Sequence, residues 1–177
     1  VVNGIASFNN IDVYEGTFLT TNFTVNPNVP SPPQRFIIEN VNVDTSLINV
    51  IVSKTVFSNV SSKYTLTNDI FDVDGNSKIF FIQEVVDQKY ELIFGDGIFG
   101  KKLEENNYIS VNYVVSNGEL GNGLSQFNFA GRLNSNVGLI SRGISLITTN
   151  QASDGGREIE SVQSIRNYAP KNYAAQN

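Results

Sequence analysis

The sequence predicts a mainly β protein, with an antiparallel β-sandwich-like domain, a smaller β subdomain and a short C-terminal helix. Three observations lead to this fold class. Apolar and polar residues alternate along much of the chain, as they do in strands that bury one face. Only 16% of the 177 residues are charged, whereas 40% are hydrophobic. Asn, Ser and Thr supply much of the remaining polar surface, and such a surface suits strands and turns better than solvated helices.

The main antiparallel β domain is predicted to span residues 1–116. Alternating apolar residues between 11 and 25 predict one long strand, or two strands with a bulge at Gly16. Four of the five prolines lie between residues 26 and 33. Because proline has no N–H to donate to a β-ladder, this run predicts an extended connection over the surface.

The next strands are predicted at residues 36–38 and 47–52, with a turn at 44–46 between them. The second of these runs is apolar on both faces, which is typical of a strand buried in the middle of a sheet. Ile70 and Phe71 are interpreted as apolar residues that return the chain to the core.

Residues 72–76 resemble part of a calcium-binding loop. When Gly75 is set at the sixth position of such a loop, Ile70 and Phe81 fall at the first and twelfth positions, where oxygen ligands are required. We therefore predict a turn before a strand at 79–82, and no metal site.

A strand that begins near Tyr90, after a predicted hairpin loop at Asp87-Gln88, leads into three glycines within six residues. Their spacing matches the dinucleotide-binding fingerprint, but that fingerprint requires a helix next, whereas residues 108–115 alternate as a strand does. We therefore interpret the segment as a tight structural turn, in which Gly95 or Gly97 supplies positive φ and the aspartate bonds its own backbone. The turn residues are Gly95, Asp96, Gly97 and Gly100.

Glycine is concentrated again just after residue 116, where we place a domain boundary. Two Asn-Gly pairs in this segment favour turns, because both residue types tolerate positive φ. A glycine-hinged β arm or subdomain is predicted over residues 117–150. The predicted turn or hinge residues are Asn117, Gly118, Gly121 and Gly123.

Residues 151–177 form the predicted helical segment. Ser153 or Asp154 provides a helix cap, and Pro170 marks the end of the helix. Apolar residues recur at every third position, and a helix of about a dozen residues is marginal alone in water, so this stripe must pack on something. The stripe, a candidate interface for self-association, consists of Ile159, Val162, Ile165 and Tyr168.

The composition argues against catalysis and against several classes of partner. His, Cys and Met are absent, which removes the commonest general base, the best nucleophile and most transition-metal ligands. We therefore expect no catalytic residue, no cofactor and no metal. A net charge of -5 argues against nucleic-acid binding, and no apolar run has the length of a membrane span. The absence of methionine, even at position 1, predicts an internal or C-terminal fragment of a longer protein.

The glycine turn also carries a family resemblance. Tyr90-Glu91-Leu92-x-Phe94 before the turn and Tyr108-Ile109 after it are similar to the baseplate wedge proteins of T-even-type contractile-tailed phages, within the baseplate J-like family. The similarity covers most of the chain, although Asn106-Asn107 stands where the family usually has a glycine. Other segments that fit the comparison are residues 13–16, 43–47, 116–123, 155–160 and 166–170.

The resemblance implies a structural subunit of a viral baseplate wedge and not an enzyme. It implies self-association, as a dimer in the assembly, and contacts with other baseplate wedge proteins, with neither nucleic acid nor membrane as a partner. Such a protein is made in the host cytoplasm and resides in the tail baseplate of the virion. The alternative is a carbohydrate-binding β-sandwich module of a tail fibre or adhesin. That module should expose aromatic residues beside paired polar groups, whereas core-like alternation is found here for Tyr90, Phe94, Tyr108 and Tyr113.

Overall fold

The chain is mainly β, as the sequence predicts. A computed structural model describes residues 11–26, 28, 34–69, 71–129, 131, 133–135, 138–140, 147–148, 151–158 and 166. The chain divides into two compact units, Val1–Ser116 and Asn117–Asn177. The three-part division proposed from the sequence, with its second boundary after residue 150, stays a prediction.

The first unit is a single seven-stranded sheet. Its strands are β1 (Thr17–Thr24), β2 (Phe36–Ile38), β3 (Val43–Ser53), β4 (Ser61–Leu66), β5 (Ile79–Val85), β6 (Lys89–Phe94) and β7 (Tyr108–Val115). Their spatial order is β1-β7-β3-β4-β5-β6-β2, and the sheet curls until it is nearly closed, so we call it the barrel. Neighbouring strands are antiparallel except β4 and β5, which are parallel.

The prediction of an antiparallel sandwich is wrong, because the unit has one mixed sheet and not two facing sheets. Alternation of apolar residues specifies which face of a strand is buried, but it does not specify which strand lies beside it. A parallel pair needs a long connection that returns the chain to the end of the sheet from which it started. The stretch between Leu66 and Ile79 is this connection.

Several strand predictions are confirmed. β7 has the predicted bounds 108–115, and β2 has the predicted bounds 36–38. β3 lies between β7 and β4, inside the sheet and not at its edge, as its apolar run predicted. The burial of both faces that the same run predicted is wrong, since Val50 has no exposed surface whereas Ile51, on the outer face, is half-buried.

The turn predicted at residues 44–46 lies inside β3 and does not end it. The pairing of β3 with β7 shifts register between Asp44 and Asn49, which is the signature of a β-bulge. The Ser46 amide donates to Asp44 Oδ1 over 2.9 Å. A local side-chain contact of the kind that forms turns therefore holds an irregularity within a continuous strand.

The interior of the barrel contains an aromatic cluster centred on Phe94. The Phe94 ring packs against Phe36, Tyr64 and Phe80, at centroid distances of 5.5, 5.7 and 6.3 Å. Such aromatic pairs contribute roughly 0.5–1.5 kcal/mol each beyond the burial of their area. The hydrophobic residues buried in the core are Phe36, Ile38, Val43, Val50, Val52, Tyr64, Phe80, Leu92, Ile109, Val111 and Tyr113.

Polar side chains span the gap between β1 and β2, which are the two edges of the sheet. The Gln34 carboxamide donates from Nε2 to Thr24 O, and its Oε1 accepts from the Asn26 amide, with 2.8 Å for each hydrogen bond. A side-chain amide thus takes the place that a peptide group would occupy in a continuous ladder.

A second bridge across the gap lies inside the barrel, at the hydroxyl of Tyr113. Tyr113 is buried, and its hydroxyl lies 2.9 Å from Thr21 Oγ1 in β1. The same hydroxyl donates to Asn40 Oδ1, just after β2, over 2.6 Å. One phenol from β7 therefore connects the two edge strands.

The second unit contains short strands, namely β8 (Gln126–Phe127), β9 (Leu133–Ser135), β10 (Gly138–Ile140) and β11 (Ile147–Thr148). β8 pairs with β11 and β9 with β10, both antiparallel. The predicted C-terminal helix is not supported, since the described residues include no helix of seven residues or more and residues 152–158 have no regular structure. Ser153 does not cap a helix, because its hydroxyl donates to Gly121 O over 2.6 Å. The stripe residues Ile159, Val162, Ile165 and Tyr168 lie outside the described residues.

We expect Tyr113→Phe to lower the free energy of unfolding by about 1–2 kcal/mol, because it leaves Thr21 and Asn40 without their shared partner in a partly buried site. Urea denaturation followed by circular dichroism measures the change. Tyr108→Phe is the matched control, since Tyr108 is half-buried on the outer face of β7. A Tyr113→Phe protein as stable as the Tyr108→Phe protein would contradict the bridging role.

Candidate interaction surface at the glycine turn

Two connections meet at the end of the barrel where β6 ends and β7 begins. Residues 95–107 join β6 to β7 and open with the predicted glycine turn, while residues 67–78 join β4 to β5. We call residues 69, 71–77 and 95–101 the double loop. Most of the candidate site residues that sequence analysis singled out in the first unit lie here.

The glycine turn is closed by its own backbone. The Gly97 amide donates to Gly100 O over 3.0 Å, and Gly97 and Gly100 have φ values of +98° and +88°. Gly95 has no positive φ, but a Cβ added there would overlap the backbone of Gly100. Of the two glycines considered for positive φ, Gly97 supplies it, and Gly95 permits the close approach of two backbone segments.

Asp96 fixes the tip of the same turn. Its Oδ1 accepts hydrogen bonds from the Ile98 and Phe99 amides, over 2.8 and 2.9 Å. These backbone hydrogen bonds, to Phe99 first and then to Ile98, hold the pKa of the Asp96 carboxyl below its ordinary value. The aspartate therefore bonds its own backbone, which is the role that the sequence suggested for it.

The second connection is fixed in a similar way. Asp74 Oδ1 accepts from the Ser77 hydroxyl and the Asn76 amide, over 2.8 and 2.9 Å, and these bonds lower the pKa of Asp74. Asp69 Oδ1 accepts from the Phe71 amide over 2.8 Å. Among the described residues, no group of three or more His, Cys, Asp or Glu side chains is arranged to hold a metal ion.

Backbone contacts lock the two halves of the double loop together. The Gly100 amide donates to Asp74 O over 3.0 Å, and the Lys101 amide donates to Ser77 O over 2.7 Å. Gly75 lies so close to the Gly97 carbonyl that a Cβ on Gly75 would overlap its oxygen. The double loop is therefore a single, internally bonded piece of backbone.

Three large apolar side chains project from this backbone into solvent. Phe71 is 81% exposed, Ile98 is 70% exposed and Phe99 is 51% exposed. The interpretation of Phe71 as a core residue is wrong, because the turn pinned by Asp69 takes it out of strand alternation. The exposure of Phe71 could have been predicted from its turn-forming neighbours, which are Asn68, Asp69 and Asp72.

The second group of predicted turn residues lies in the second unit. Gly118–Gly121 form a short 3-10 turn, Gly118 has φ +60°, Gly123 has φ +87° and Gly121 is buried. Sequence analysis did not single out Asn122, whose side chain fixes this segment by hydrogen bonds. Asn122 accepts at Oδ1 from the Gly156 amide and donates from Nδ2 to Gly156 O, both over 2.9 Å. A hinge role for these glycines stays a prediction.

A nearly closed barrel whose loops are fixed by hydrogen bonds has the features of a structural module. Comparison with protein families makes the assignment specific. Residues 26–119 match the family described as bacteriophage baseplate wedge protein gp6, third domain, and the chain belongs to this family. The resemblance inferred from the sequence is thus confirmed, and the protein is located in the tail baseplate of the phage virion.

A search of curated proteins gives no match to the chain. Among the described residues, no helix is both long enough and apolar enough to cross a membrane.

The turn at Asn106-Asn107, where the resemblance leads us to expect a glycine, has a simple structural account. Asn106 adopts φ +63°, and asparagine is one of the few residues besides glycine that enter this conformation readily. Its neighbour Asn107 is buried, and Asn107 Oδ1 accepts from the Glu104 amide over 2.9 Å. Asn106 therefore forms this turn in a conformation that glycine also adopts readily.

We expect Gly97→Ala to lower the free energy of unfolding by about 1 kcal/mol or more, because alanine is strained at φ +98° although space is available for its Cβ. Gly95→Ala should cost more, since its Cβ would meet backbone that must shift. Urea denaturation of both variants gives the order, with Lys101→Ala as the control. A Gly97→Ala variant less stable than Gly95→Ala would contradict this account.

The double loop should also lose stability in acid. Asp74 and Asp96 have folded pKa values below their ordinary value of 3.8, so their carboxylates contribute stability above about pH 4 and lose it as the pH falls through the folded values. Asp96→Asn keeps the acceptor oxygen but does not titrate, so stability should fall less steeply below pH 4. Unfolding curves between pH 2 and 6 test this, with Asp72→Asn as the charge-matched control. Equal slopes in the wild type and Asp96→Asn would disprove the role of Asp96.

Proposed function

We propose that the chain acts as a structural subunit of a contractile-tail baseplate wedge through self-association and through contacts with other baseplate proteins. The observation that supports this is the family match over residues 26–119, which includes β2 to β7 and the whole double loop. Loops that are already fixed by hydrogen bonds lose little conformational freedom when they bind, which favours a stable assembly.

The proposed partners are a second copy of the chain, as a dimer within the assembly, and other wedge proteins. The stripe Ile159, Val162, Ile165 and Tyr168 is the proposed surface for self-association. Nucleic acid is not proposed as a partner, because a chain with a net charge of -5 offers few cations for phosphate. No membrane, cofactor or catalytic residue is part of the proposal.

The glycines after residue 116 are proposed as a hinge that follows the main β domain. Gly118 and Gly123 have positive φ, and such positions can absorb changes in backbone direction. In a contractile tail, rigid modules on such hinges would let the wedges shift when the tail contracts. The β arm proposed for residues 117–150 would then carry contacts that change during contraction.

The four aromatic residues that the sequence analysis considered do not support the carbohydrate-binding alternative. A sugar-binding face needs exposed aromatic rings beside paired polar groups. Tyr113 is buried in the barrel, and Tyr90, Phe94 and Tyr108 are only half-exposed. None of these four rings offers the open platform that the alternative requires.

Self-association is tested by analytical ultracentrifugation. We expect the wild-type chain to dimerise, and the Ile165→Asp, Tyr168→Ser double variant to dimerise about tenfold more weakly or worse, because each buried apolar side chain contributes about 1.5–3 kcal/mol. The double variant Gln163→Asp, Asn167→Ser introduces the same residue types off the stripe and serves as the control. A wild-type chain that stays monomeric at high concentration would refute self-association.

A further inference from the structure

The double loop combines exposed apolar side chains with a fixed backbone. Phe71, Ile98 and Phe99 are exposed by 81%, 70% and 51%, on loops that bond to each other and to their own aspartates. Exposed apolar side chains that are scattered singly over a surface are normal and need no explanation. Here hydrogen bonds hold the backbone that carries them in one conformation. Binding would therefore cost little backbone conformational entropy.

The same aspartates that pin the loops give them a negative charge. The double loop contains four Asp and one Lys, Lys101, and Lys78 and Lys102 directly follow its two halves, so the loop itself is net negative. Asp69 pins Phe71, and Asp96 pins Ile98 and Phe99. Each apolar tip therefore lies beside a carboxylate.

We infer that the double loop is a docking surface for a different baseplate protein, one with an apolar recess bordered by Lys and Arg. The inference rests on the proposed function and names the chemistry of one partner. Phe71, Ile98 and Phe99 would fill the recess, and the aspartates would face the basic border. Buried aromatic and aliphatic anchors with a charged rim are the usual anatomy of a protein interface.

Charge argues against a symmetric contact of two double loops and against anionic ligands at this surface. Two copies that met through their double loops would place aspartates against aspartates, in a chain whose net charge is already -5. Anionic lipid and nucleic-acid phosphate would be repelled in the same way. The β3–β4 turn, at the same end of the barrel, also exposes large apolar side chains, with Val56, Phe57 and Val60 exposed by 55%, 92% and 76%.

The test uses purified phage tails that carry p-benzoylphenylalanine at position 71 or 98 of this chain. Position 86, in the turn between β5 and β6 at the opposite end of the barrel, is the control, since Val86 is 81% exposed, as Phe71 is. After irradiation, mass spectrometry identifies the cross-linked peptides. We expect positions 71 and 98 to cross-link to one protein other than this chain, at a peptide rich in Lys or Arg, and position 86 not to do so.

Substitution provides a second measurement. Phe71→Ser with Ile98→Ser should reduce incorporation into baseplates about tenfold or more in competition with the wild type, whereas Val86→Ser should not. Asp72→Asn should weaken incorporation more at low salt than at high salt, because high salt already screens the attraction between the aspartate and the basic border of the partner. Unchanged thermal melting shows that the variants fold, as expected for exposed positions.

The outcomes separate this inference from the proposed function. Cross-links from positions 71 and 98 to a second copy, to lipid or to DNA, or none above the control at position 86, overturn the inference while the chain remains a baseplate component. Normal incorporation of the Phe71→Ser, Ile98→Ser variant also overturns it. If the wild-type chain contacts no other wedge protein in baseplates, the proposed function fails as well.

Discussion

The contact of the Phe94 ring with rings on β2, β4 and β5 is the interaction on which the rest of the structure depends. It joins strands that are distant in the chain, and it lies at the last residue of β6. The next residue is Gly95, where the backbone comes too close to Gly100 for any side chain. Packing in the interior therefore determines the position and direction in which the glycine turn leaves the barrel. Because the double loop follows directly after a residue of the core, packing of the core also restricts the backbone of this surface loop.

The barrel closes through side-chain hydrogen bonds and not through a backbone ladder between β1 and β2. A ladder of peptide hydrogen bonds would require β1 and β2 to match in register and spacing along their length. The carboxamide of Gln34 and the hydroxyl of Tyr113 reach across the gap at two points and make no such demand. Since unpaired strand edges are sites of unwanted association, even this partial closure protects the protein. The outer loops are then the place where apolar surface remains available.

Sequence reasoning succeeded where the controlling interactions are local. The bounds of β7, the turn role of Asp96 and the positive φ of Gly97 depend on residues close in the chain. Sequence reasoning failed where contacts between distant segments of the chain determine the structure. The parallel pairing of β4 with β5 and the closure of one sheet depend on contacts that alternation does not encode. Phe71 was misassigned because hydrophobicity alone does not reveal that an aspartate two residues earlier turns the chain outwards. The expected cap at Ser153 failed because its hydroxyl bonds to Gly121, far away in sequence.

The pairing of β1 with β7 has a consequence for synthesis on the ribosome. Thr20 and Asn112 are partners across this pair, although they are 92 residues apart in the chain. At roughly 5–20 residues per second, β1 waits on the order of 5–20 seconds before its partner strand has been translated. During that time an uncharged strand rich in β-branched and aromatic residues is without its partner, and neighbouring nascent chains on a polysome carry the same strand. Spacing between ribosomes, and chaperones that cover emerging strands, would then influence how much of the protein reaches its native form.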